Sequence, residues 1–382
     1  MVVPRPIYLD HNATTPVDPR VVDAMLPYLQ GQFGNPSSSH ACGRFPREAV
    51  ATARGQVAEV LGARPEEVIF TGSGSEADHL ALRGVISAHG PAQAHVVTQV
   101  TEHPAVLDAC RALQLDFGVH VSLLPVDGDG LVCPADLRAA LRPETVLVSV
   151  MHANNETGSI QPIGELAEIA HAQGALFHTD AAQSVGKIPV DVDELGIDLL
   201  TVVGHKLYAP KGVAALYVRR GVQLRPLVGG GGQERGLRAG TENVPYIAGF
   251  GVACRLAAEE GLPAAGRISV LRDRLHQRLV ELLPGRVQLN GHETRRLPNT
   301  LNVSIIGTRG DQLLSRASGL AASTGSACHE GSVEPSPVLT AMRLDAGRAA
   351  SAIRLSLGRT TTEIAIEQAA QELARAATDH DV

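Results

Sequence analysis

The sequence predicts an α/β protein, with a mostly parallel sheet in a large domain and a smaller α+β domain after it. Three observations support this prediction. At 382 residues, the chain has room for one large and one smaller domain. Between about residues 20 and 250, short apolar, β-branched runs alternate with helical patterns, as in a parallel sheet covered by helices on both faces. Beyond the glycine-rich stretch at 229–232, this alternation ends.

Six apolar runs define the expected strands of the large domain. In a parallel sheet of this kind, ligands bind at the carboxyl ends of the strands. The residues that directly follow the runs are therefore candidate site residues. The runs occupy residues 67–70, 95–98, 145–150, 175–178, 199–203 and 213–218.

The last third of the chain has a different pattern. A long helical region at 246–284 is followed by short strands and by a final helix at about 363–376. We therefore expect residues 16–255 to form the large domain, and residues 1–15 and 256–382 to form the small α+β domain.

Charge and hydropathy exclude some classes of protein. The chain has 33 basic and 40 acidic residues, a formal charge of −7, and no basic run with interleaved aromatic residues. This pattern argues against direct nucleic-acid binding. No stretch of 18 apolar residues occurs, and the N-terminus does not resemble a signal peptide. We expect a cytoplasmic protein that does not enter a membrane.

Five cysteines are spread along the chain without a C-x-x-C pair. An odd number of distant cysteines does not suggest a disulfide framework or a zinc site, so we expect no metal. A functional cysteine should act as a thiol. The five are Cys42, Cys110, Cys133, Cys254 and Cys328.

Two polar residues end neighbouring runs and are suited to pyridoxal chemistry. Lys206 follows the run that ends at Val203, and a partly desolvated amine at a strand end readily forms a Schiff base. Alone, this position is more typical of a surface lysine. Asp180 closes another run, where a carboxylate would keep the nitrogen of a pyridoxal ring protonated. Alternatively, Asp180 caps the helix that follows it.

Two further strand ends present groups for a cofactor. Segment 71–76 opens a helix with small residues, which leave backbone N–H groups free for an anion such as a phosphate. The same segment is also typical of a capping box between Ser73 and Glu76. His103 follows the next run, where an imidazole could stack on a planar ring and transfer protons, although a lone histidine is usually structural. Together, four such strand ends favour a cofactor site.

With these residues, the chain resembles the cysteine desulfurases of the fold-type I pyridoxal-phosphate superfamily. The similarity runs from Tyr-Leu-Asp-His-Asn-Ala-Thr-Thr-Pro at 8–16 to Arg-Leu-Ser-Leu-Gly-Arg at 354–359. It implies a mostly parallel, seven-stranded sheet, pyridoxal 5'-phosphate as the cofactor and a homodimer. The most specific blocks are residues 33–38, 153–158, 178–183, 204–206 and 210–212.

The resemblance also implies a set of cofactor-binding residues. Lys206 and His103 would in addition be catalytic, and Thr241 would act from the neighbouring subunit. Many relatives have a serine where this chain has Val203, so one phosphate contact would be missing. The implied residues are Lys206 through its amine, His103 over the ring, Asp180 at the pyridine nitrogen, Asn155 and Gln183 near the ring hydroxyl, and Gly74, Ser75, His205 and Thr241 at the phosphate.

Arg354 lies where polar and apolar residues alternate. Ile353, Leu355 and Leu357 should share a buried face, which turns Arg354 to the other face. On this pattern alone, Arg354 is a solvated arginine of an edge strand. The resemblance instead assigns Arg354, with Asn35, to the carboxylate of the substrate, a role suited to a forked guanidinium.

Cys328 lies in a segment of small residues at 323–332. Buried structural cysteines usually have large apolar neighbours, so this setting favours an accessible thiol. The resemblance makes Cys328 the catalytic nucleophile, in a loop similar in length to that of the long-loop class of desulfurases.

These expectations describe a cysteine desulfurase that converts L-cysteine to L-alanine, holds the sulfur as a persulfide on Cys328 and passes it to an acceptor protein. Iron–sulfur assembly, tRNA thiolation and DNA phosphorothioation stay open as uses of the sulfur. Selenocysteine lyase is an alternative, because the blocks at 203–208 and 240–243 are similar to those enzymes. An aminotransferase would not need Cys328, and a non-enzymatic sulfur carrier or scaffold would not need Lys206.

Overall fold

The structure, a computed structural model, describes residues 6–324 and 336–378. These residues form strands in three sheets, with helices around them. The strands are β1 (Ile7–Tyr8), β2 (Val68–Thr71), β3 (His95–Gln99), β4 (His120–Leu124), β5 (Thr145–Ser149), β6 (Leu176–Asp180), β7 (Leu199–Val203), β8 (Ala214–Val218), β9 (Val287–Asn290), β10 (Thr300–Ile305), β11 (Leu320–Ala321) and β12 (Ala352–Ser356). The α-helices are α1 (Pro19–Leu29), α2 (Arg44–Val60), α3 (Gly74–His89), α4 (Pro104–Phe117), α5 (Pro134–Ala140), α6 (Ile163–Ala172), α7 (Val244–Leu256), α8 (Leu262–Leu282), α9 (Gly310–Arg316), α10 (Pro337–Ala341), α11 (Ala346–Ala350) and α12 (Glu363–Thr378).

The central sheet has seven strands in the order β2-β8-β7-β6-β5-β3-β4. Strand β8 runs antiparallel to both of its neighbours, and all other pairs are parallel. Six strands therefore point the same way, and the prediction of a mostly parallel sheet is confirmed. The apolar runs did not predict β4, because it is an edge strand with mostly accessible residues.

Helices cover both faces of this sheet. In β2, Ile69 belongs to one apolar cluster and Phe70 to another, and Val96 and Val97 in β3 divide in the same way. Successive side chains of a strand point to opposite faces, so each face has its own cluster. Helices α3 and α4 complete the first cluster, whereas α2, α6 and α7 contribute to the second. This arrangement explains why the runs lack polar alternation.

The C-terminal part builds a separate antiparallel sheet in the order β12-β10-β9. Its apolar cluster includes Leu9, residues of α8 and α12, and the predicted buried side chains Ile353, Leu355 and Leu357. The long helical region at 246–284 is two helices, α7 and α8, joined by a π-helical turn. The domain boundaries near residues 15 and 255 stay a prediction.

The direction of the strands positions the site. The carboxyl ends of β2, β3, β5, β6 and β7 lie at one edge of the sheet, and the predicted cofactor residues follow these ends. Among the described helices, none combines the length and apolar character needed to cross a bilayer.

Candidate active site

Lys206 lies in a short 3-10 turn directly after β7. Its Nζ donates hydrogen bonds to the backbone carbonyls of Asn12, at 2.6 Å, and of Ala13, at 2.7 Å. Burial, aided by the nearby Arg354, lowers the pKa of the Lys206 ammonium to about 8, although Asp180 and Asp10 oppose the shift. A substantial fraction of this amine is therefore unprotonated near neutral pH, as a nucleophile requires.

Asp180 is the last residue of β6 and is buried. Its Oδ1 accepts the N–H of Ala182 at 2.9 Å, within a turn, so the alternative that it caps an α-helix is wrong. Burial raises the pKa of Asp180, while that hydrogen bond and the nearby His103 and Lys206 oppose the rise. A cationic group placed against this carboxylate would be held strongly, because little solvent screens the pair.

Two more buried carboxylates lie behind Asp180. Burial raises the pKa of Glu102 to about 8 and that of Asp78 well above its usual range, and Asp180 adds to both shifts. Glu102 Oε1 accepts the N–H of Met151 at 2.5 Å. Within the described part of the chain, Glu102 Oε2 and Asp78 Oδ1 have no hydrogen-bond partner. Glu102 and Asp78 therefore favour the protonated form more than an exposed carboxyl group does.

His103 is the N-cap residue of α4. Its Nδ1 accepts the N–H of Ala105 at 3.2 Å, so a neutral ring carries its proton on Nε2. The residue is exposed, but the surrounding protein desolvates its ring enough to lower the pKa, and Asp180 opposes this shift. The ring can therefore be neutral at the edge of the sheet and available for proton transfer.

The N-terminus of α3 lies beside the end of β7. A Cβ built on Gly74 would lie 2.6 Å from Val203 Cγ2, so a larger residue than glycine would not fit without a shift. Ser75, next along the helix, is exposed. Backbone N–H groups in this first turn have no acceptors within the helix and are suited to an anion.

The predicted capping box is only half present. The Ser73 hydroxyl accepts the N–H of Glu76 at 3.1 Å. The Glu76 carboxylate, however, accepts the N–H of Gly72 at 2.7 Å and pairs with Arg238 at 2.8 Å. The box fails because Glu76 points to the residue before the N-cap and to a cation from a later segment.

His205 precedes the lysine and contacts the N-terminal segment. Its Nδ1 lies 3.1 Å from Thr14 Oγ1. Burial, aided by Lys206 and Lys211, lowers the pKa of its ring to about 4. The ring is therefore neutral near neutral pH and could serve a phosphate as a hydrogen-bond donor without adding charge.

Asn12 connects the lysine to the amide residues. Its backbone carbonyl accepts both Lys206 Nζ and, at 3.0 Å, Gln183 Nε2. Its own Nδ2 donates to the backbone carbonyl of Asn155 at 3.1 Å. The sequence reasoning assigned no role to Asn12, although this residue lies in one of the blocks that carry the resemblance.

Arg354 lies in β12 and is 4% exposed, so its interpretation as a solvated edge-strand residue is wrong. One terminal nitrogen donates to the backbone carbonyl of Asn155 at 3.1 Å, and the other pairs with Asp10 at 2.7 Å. Its Nε has no hydrogen-bond partner among the described residues. The guanidinium is thus held by two groups and retains a donor for a third.

Three predicted site residues are not seen to contact the groups around Lys206 and Arg354. Asn35 is exposed, and its Oδ1 accepts the N–H of Ser37 at 2.9 Å. Thr241 is also exposed, in a segment that follows the central sheet. Cys328 lies outside the described residues.

The groups present fit pyridoxal phosphate. The donor set combines an amine of lowered pKa, a buried carboxylate and a neutral imidazole at neighbouring strand ends. Gly74 leaves the first turn of α3 open where any side chain would meet Val203. The amine would bind the aldehyde carbon of the cofactor, and the first turn of α3 would bind its phosphate. The carboxylate and the imidazole would contact the pyridine ring.

The fold and the donor set define a lysine-based enzyme of the pyridoxal-phosphate type, and the comparisons agree. Residues 7–368 match the model of the aminotransferase class-V family. A mitochondrial cysteine desulfurase of Arthroderma benhamiae is 50% identical over 368 residues, which cover 95% of this chain and 73% of that protein.

Solved structures give the same result. A NifS-like protein has a TM-score of 0.91 and 37% identity, with 97% of this chain and 98% of that chain covered. The structure of SspA in complex with cysteine has a TM-score of 0.82 and 36% identity, with 93% and 99% covered. The chain belongs to the aminotransferase class-V family and, within it, to the cysteine desulfurases. The prediction of the fold-type I architecture is confirmed.

Proposed function

We propose that this chain is a pyridoxal-phosphate-dependent cysteine desulfurase that converts L-cysteine to L-alanine and collects the sulfur on Cys328. The observation that carries the proposal is the convergence of Lys206, Asp180 and Arg354 from three strands. Asp180 and Arg354 lie close enough to shift the pKa of the Lys206 amine in opposite directions. The name of the Arthroderma benhamiae relative and the cysteine in the SspA structure support L-cysteine as the substrate.

Each polar group of the cluster has a task in this reaction. When bound, pyridoxal phosphate withdraws electrons from the α-carbon of an amino acid. Lys206 would hold the cofactor through Nζ, and Asp180 would stabilise a proton on the pyridine nitrogen. Lys206 Nζ, when free and unprotonated, would take the proton from the substrate Cα. Arg354 would orient the substrate through its carboxylate.

Cys328 would accept the sulfur. Its thiolate attacks the substrate sulfur, an S–S bond forms as the Cβ–S bond breaks, and the electron pair left on Cβ takes up a proton. L-cysteine and one thiol thus give L-alanine and one persulfide. Two other thiols are poor candidates, because burial raises the pKa of Cys110 to about 12 and that of Cys254 further still.

A homodimer and an acceptor protein in the cytoplasm belong to the same proposal. Thr241 is exposed, which supports its assignment to the phosphate of a neighbouring subunit. Leu29, Phe33 and Phe45 are exposed apolar residues near the start of the chain, and a second copy could cover them. Light scattering of the purified protein should give twice the 40.0 kDa of one chain.

The test follows both products. We expect the wild type to release alanine from L-cysteine, and mass spectrometry should find the added sulfur on the peptide that contains Cys328. Cys328→Ser should bind the cofactor and change its spectrum with cysteine, but release almost no alanine. Cys133→Ser removes an exposed thiol from another part of the chain and is the matched control. Near-normal alanine release by Cys328→Ser would refute the persulfide route, and faster turnover of selenocysteine would favour the lyase.

A further inference from the structure

Lysine is rare in this chain, and its positions are not random. Only three of the 33 basic residues are lysines, and all three lie between residues 187 and 211. Lys206 is the proposed cofactor lysine, and Lys211 is exposed in the turn before β8. Lys187 is neither catalytic nor fully exposed. All basic residues other than these three lysines are arginines. A lysine at 187 therefore indicates a need for a compact amine.

The contacts of Lys187 lead to the proposed active site. Its Nζ donates to Gln183 Oε1 at 2.7 Å and lies 3.3 Å from Asn12 Oδ1. The backbone carbonyl of Asn12 accepts Gln183 Nε2 at 3.0 Å and Lys206 Nζ at 2.6 Å. Asn299 donates to the same Asn12 Oδ1 at 2.9 Å. Lys187, Gln183 and Asn12 thus form a hydrogen-bonded ring. The Asn12 carbonyl of this ring also accepts a hydrogen bond from Lys206.

This ring fixes the orientation of one amide. The two ends of a glutamine amide are similar in shape, so its neighbours decide which end donates. The Asn12 carbonyl can only accept and therefore faces the NH2 group of Gln183, and the Lys187 amine donates to the Gln183 oxygen at the other end. That carbonyl accepts one hydrogen of the NH2 group, and the second stays available to an acceptor in the site.

We propose that Lys187 is a positioning residue that holds Gln183 with its NH2 group toward Asn12 and Lys206. The inference rests on the proposed function, because Gln183 and Lys206 belong to the proposed cofactor site. The inference explains why the Gln183 amide turns its NH2 group, a hydrogen-bond donor, toward Lys206. Without Lys187, no described side chain donates to the Gln183 oxygen, and only the carbonyl of Asn12 is left to restrain the amide.

An arginine could not replace this amine. Burial lowers the pKa of Lys187 well below its usual range, and Lys206 and Arg354 lower it further. An amine donates hydrogen bonds in either protonation state, so Lys187 can hold Gln183 while burial limits the positive charge beside Lys206. A guanidinium stays charged and is larger. The scarcity of lysine and the contacts of Lys187 therefore lead to the same interpretation.

The test is a double-mutant cycle on cofactor affinity, measured by titrating stripped protein with pyridoxal phosphate. Lys187→Met, which is nearly isosteric, should weaken binding about tenfold in the wild-type background, the size expected for one to two lost hydrogen bonds. In a Gln183→Leu background, the same change should weaken binding less than about twofold, because there is no amide left to orient. Lys211→Met is the matched control and should bind like the wild type.

Two further measurements keep the result interpretable. Denaturant unfolding of each stripped variant tests for a general loss of stability, and Lys187→Gln enters the cycle if Lys187→Met does not fold. Lys187→Arg should not restore affinity. Equal losses in both backgrounds, unchanged affinity in Lys187→Met, or full affinity in Lys187→Arg would each overturn the role of Lys187. A wild type that does not bind pyridoxal phosphate would instead refute the proposed function.

Discussion

The guanidinium of Arg354 is paired with the carboxylate of Asp10 at 2.7 Å, across 344 positions of sequence. The Arg354 side chain is 5% exposed and that of Asp10 is 19% exposed, so little solvent screens the pair. The second terminal nitrogen donates to the carbonyl of Asn155. The orientation of Arg354 is therefore set before any substrate arrives, which lowers the entropy that binding must overcome.

Replacing this guanidinium should impair substrate binding. A lysine at 354 cannot contact Asp10, the Asn155 carbonyl and a substrate carboxylate in one planar arrangement. We expect Arg354→Lys to raise the KM for L-cysteine by about tenfold or more, with cofactor affinity nearly unchanged. Steady-state kinetics and a cofactor titration measure both values. Arg309→Lys, in an exposed pair with Asp311, is the control. An unchanged KM in Arg354→Lys would remove Arg354 from the substrate site.

Lys206→Ala should abolish turnover and the attachment of the cofactor to the protein. The chain has only three lysines, so the attachment point can be read directly. After borohydride reduction of the wild type, we expect the cofactor on the peptide that contains Lys206, and not on those that contain Lys187 or Lys211. Absorbance spectra and peptide mass spectrometry provide the measurement. A reduced adduct that persists in Lys206→Ala would contradict the assignment.

The lowered pKa of Lys206 predicts a pH profile. The unprotonated amine is the nucleophile, and burial favours it by disfavouring the charged form. The rate of cofactor attachment to stripped protein should rise with pH, with a midpoint near pH 8, and then level off. An ordinary lysine, with a pKa of about 10.4, would show a rate that still rises about tenfold per unit there. Stopped-flow absorbance distinguishes the two profiles.

Val203 lies where a hydroxyl would face the start of α3. Its Cγ2 approaches the position that a Cβ would take on Gly74. We expect Val203→Ser to tighten cofactor binding by about 0.5–1.5 kcal/mol, through a new hydrogen bond to the phosphate. Val203→Ala opens the same space without a donor and should not tighten binding. Equal or weaker affinity in Val203→Ser, measured by titration, would count against the placement of the phosphate at α3.

A buried ion pair stabilises the segment that leads to Thr241. Arg54, on α2, donates to the Glu234 carboxylate at 2.7 and 2.8 Å, and the Glu234 side chain is 3% exposed. Arg54→Leu would leave a buried charge without its partner, so the free energy of unfolding should fall by about 3 kcal/mol. Arg44→Leu breaks an exposed pair on the same helix and should cost less than about 0.5 kcal/mol. Denaturant unfolding at equal protein concentration compares them, and equal losses would contradict this interpretation.

Local patterns in the sequence were sufficient to locate most strands of the large sheet. Strands buried on both faces need continuous apolar runs, so the runs located β2, β3 and β5 to β8. Parallel strands place their carboxyl ends at one edge, and for this reason Lys206, Asp180 and His103 could be expected together. The edge strand β4 escaped this reasoning, because one side of it faces solvent.

The partners of those residues depended on the tertiary structure. Asn12 holds Lys206 across 194 positions, and Asp10 holds Arg354 from the other end of the chain. Such pairs leave no periodic signal, because hydrophobic patterning specifies which face of an element is buried but not which distant polar groups meet there. The sequence by itself determined the sheet, the strand ends and the residue types at them. Only the folded chain decided which carbonyls and carboxylates surround each charge, and burial beside those groups sets the pKa of Lys206.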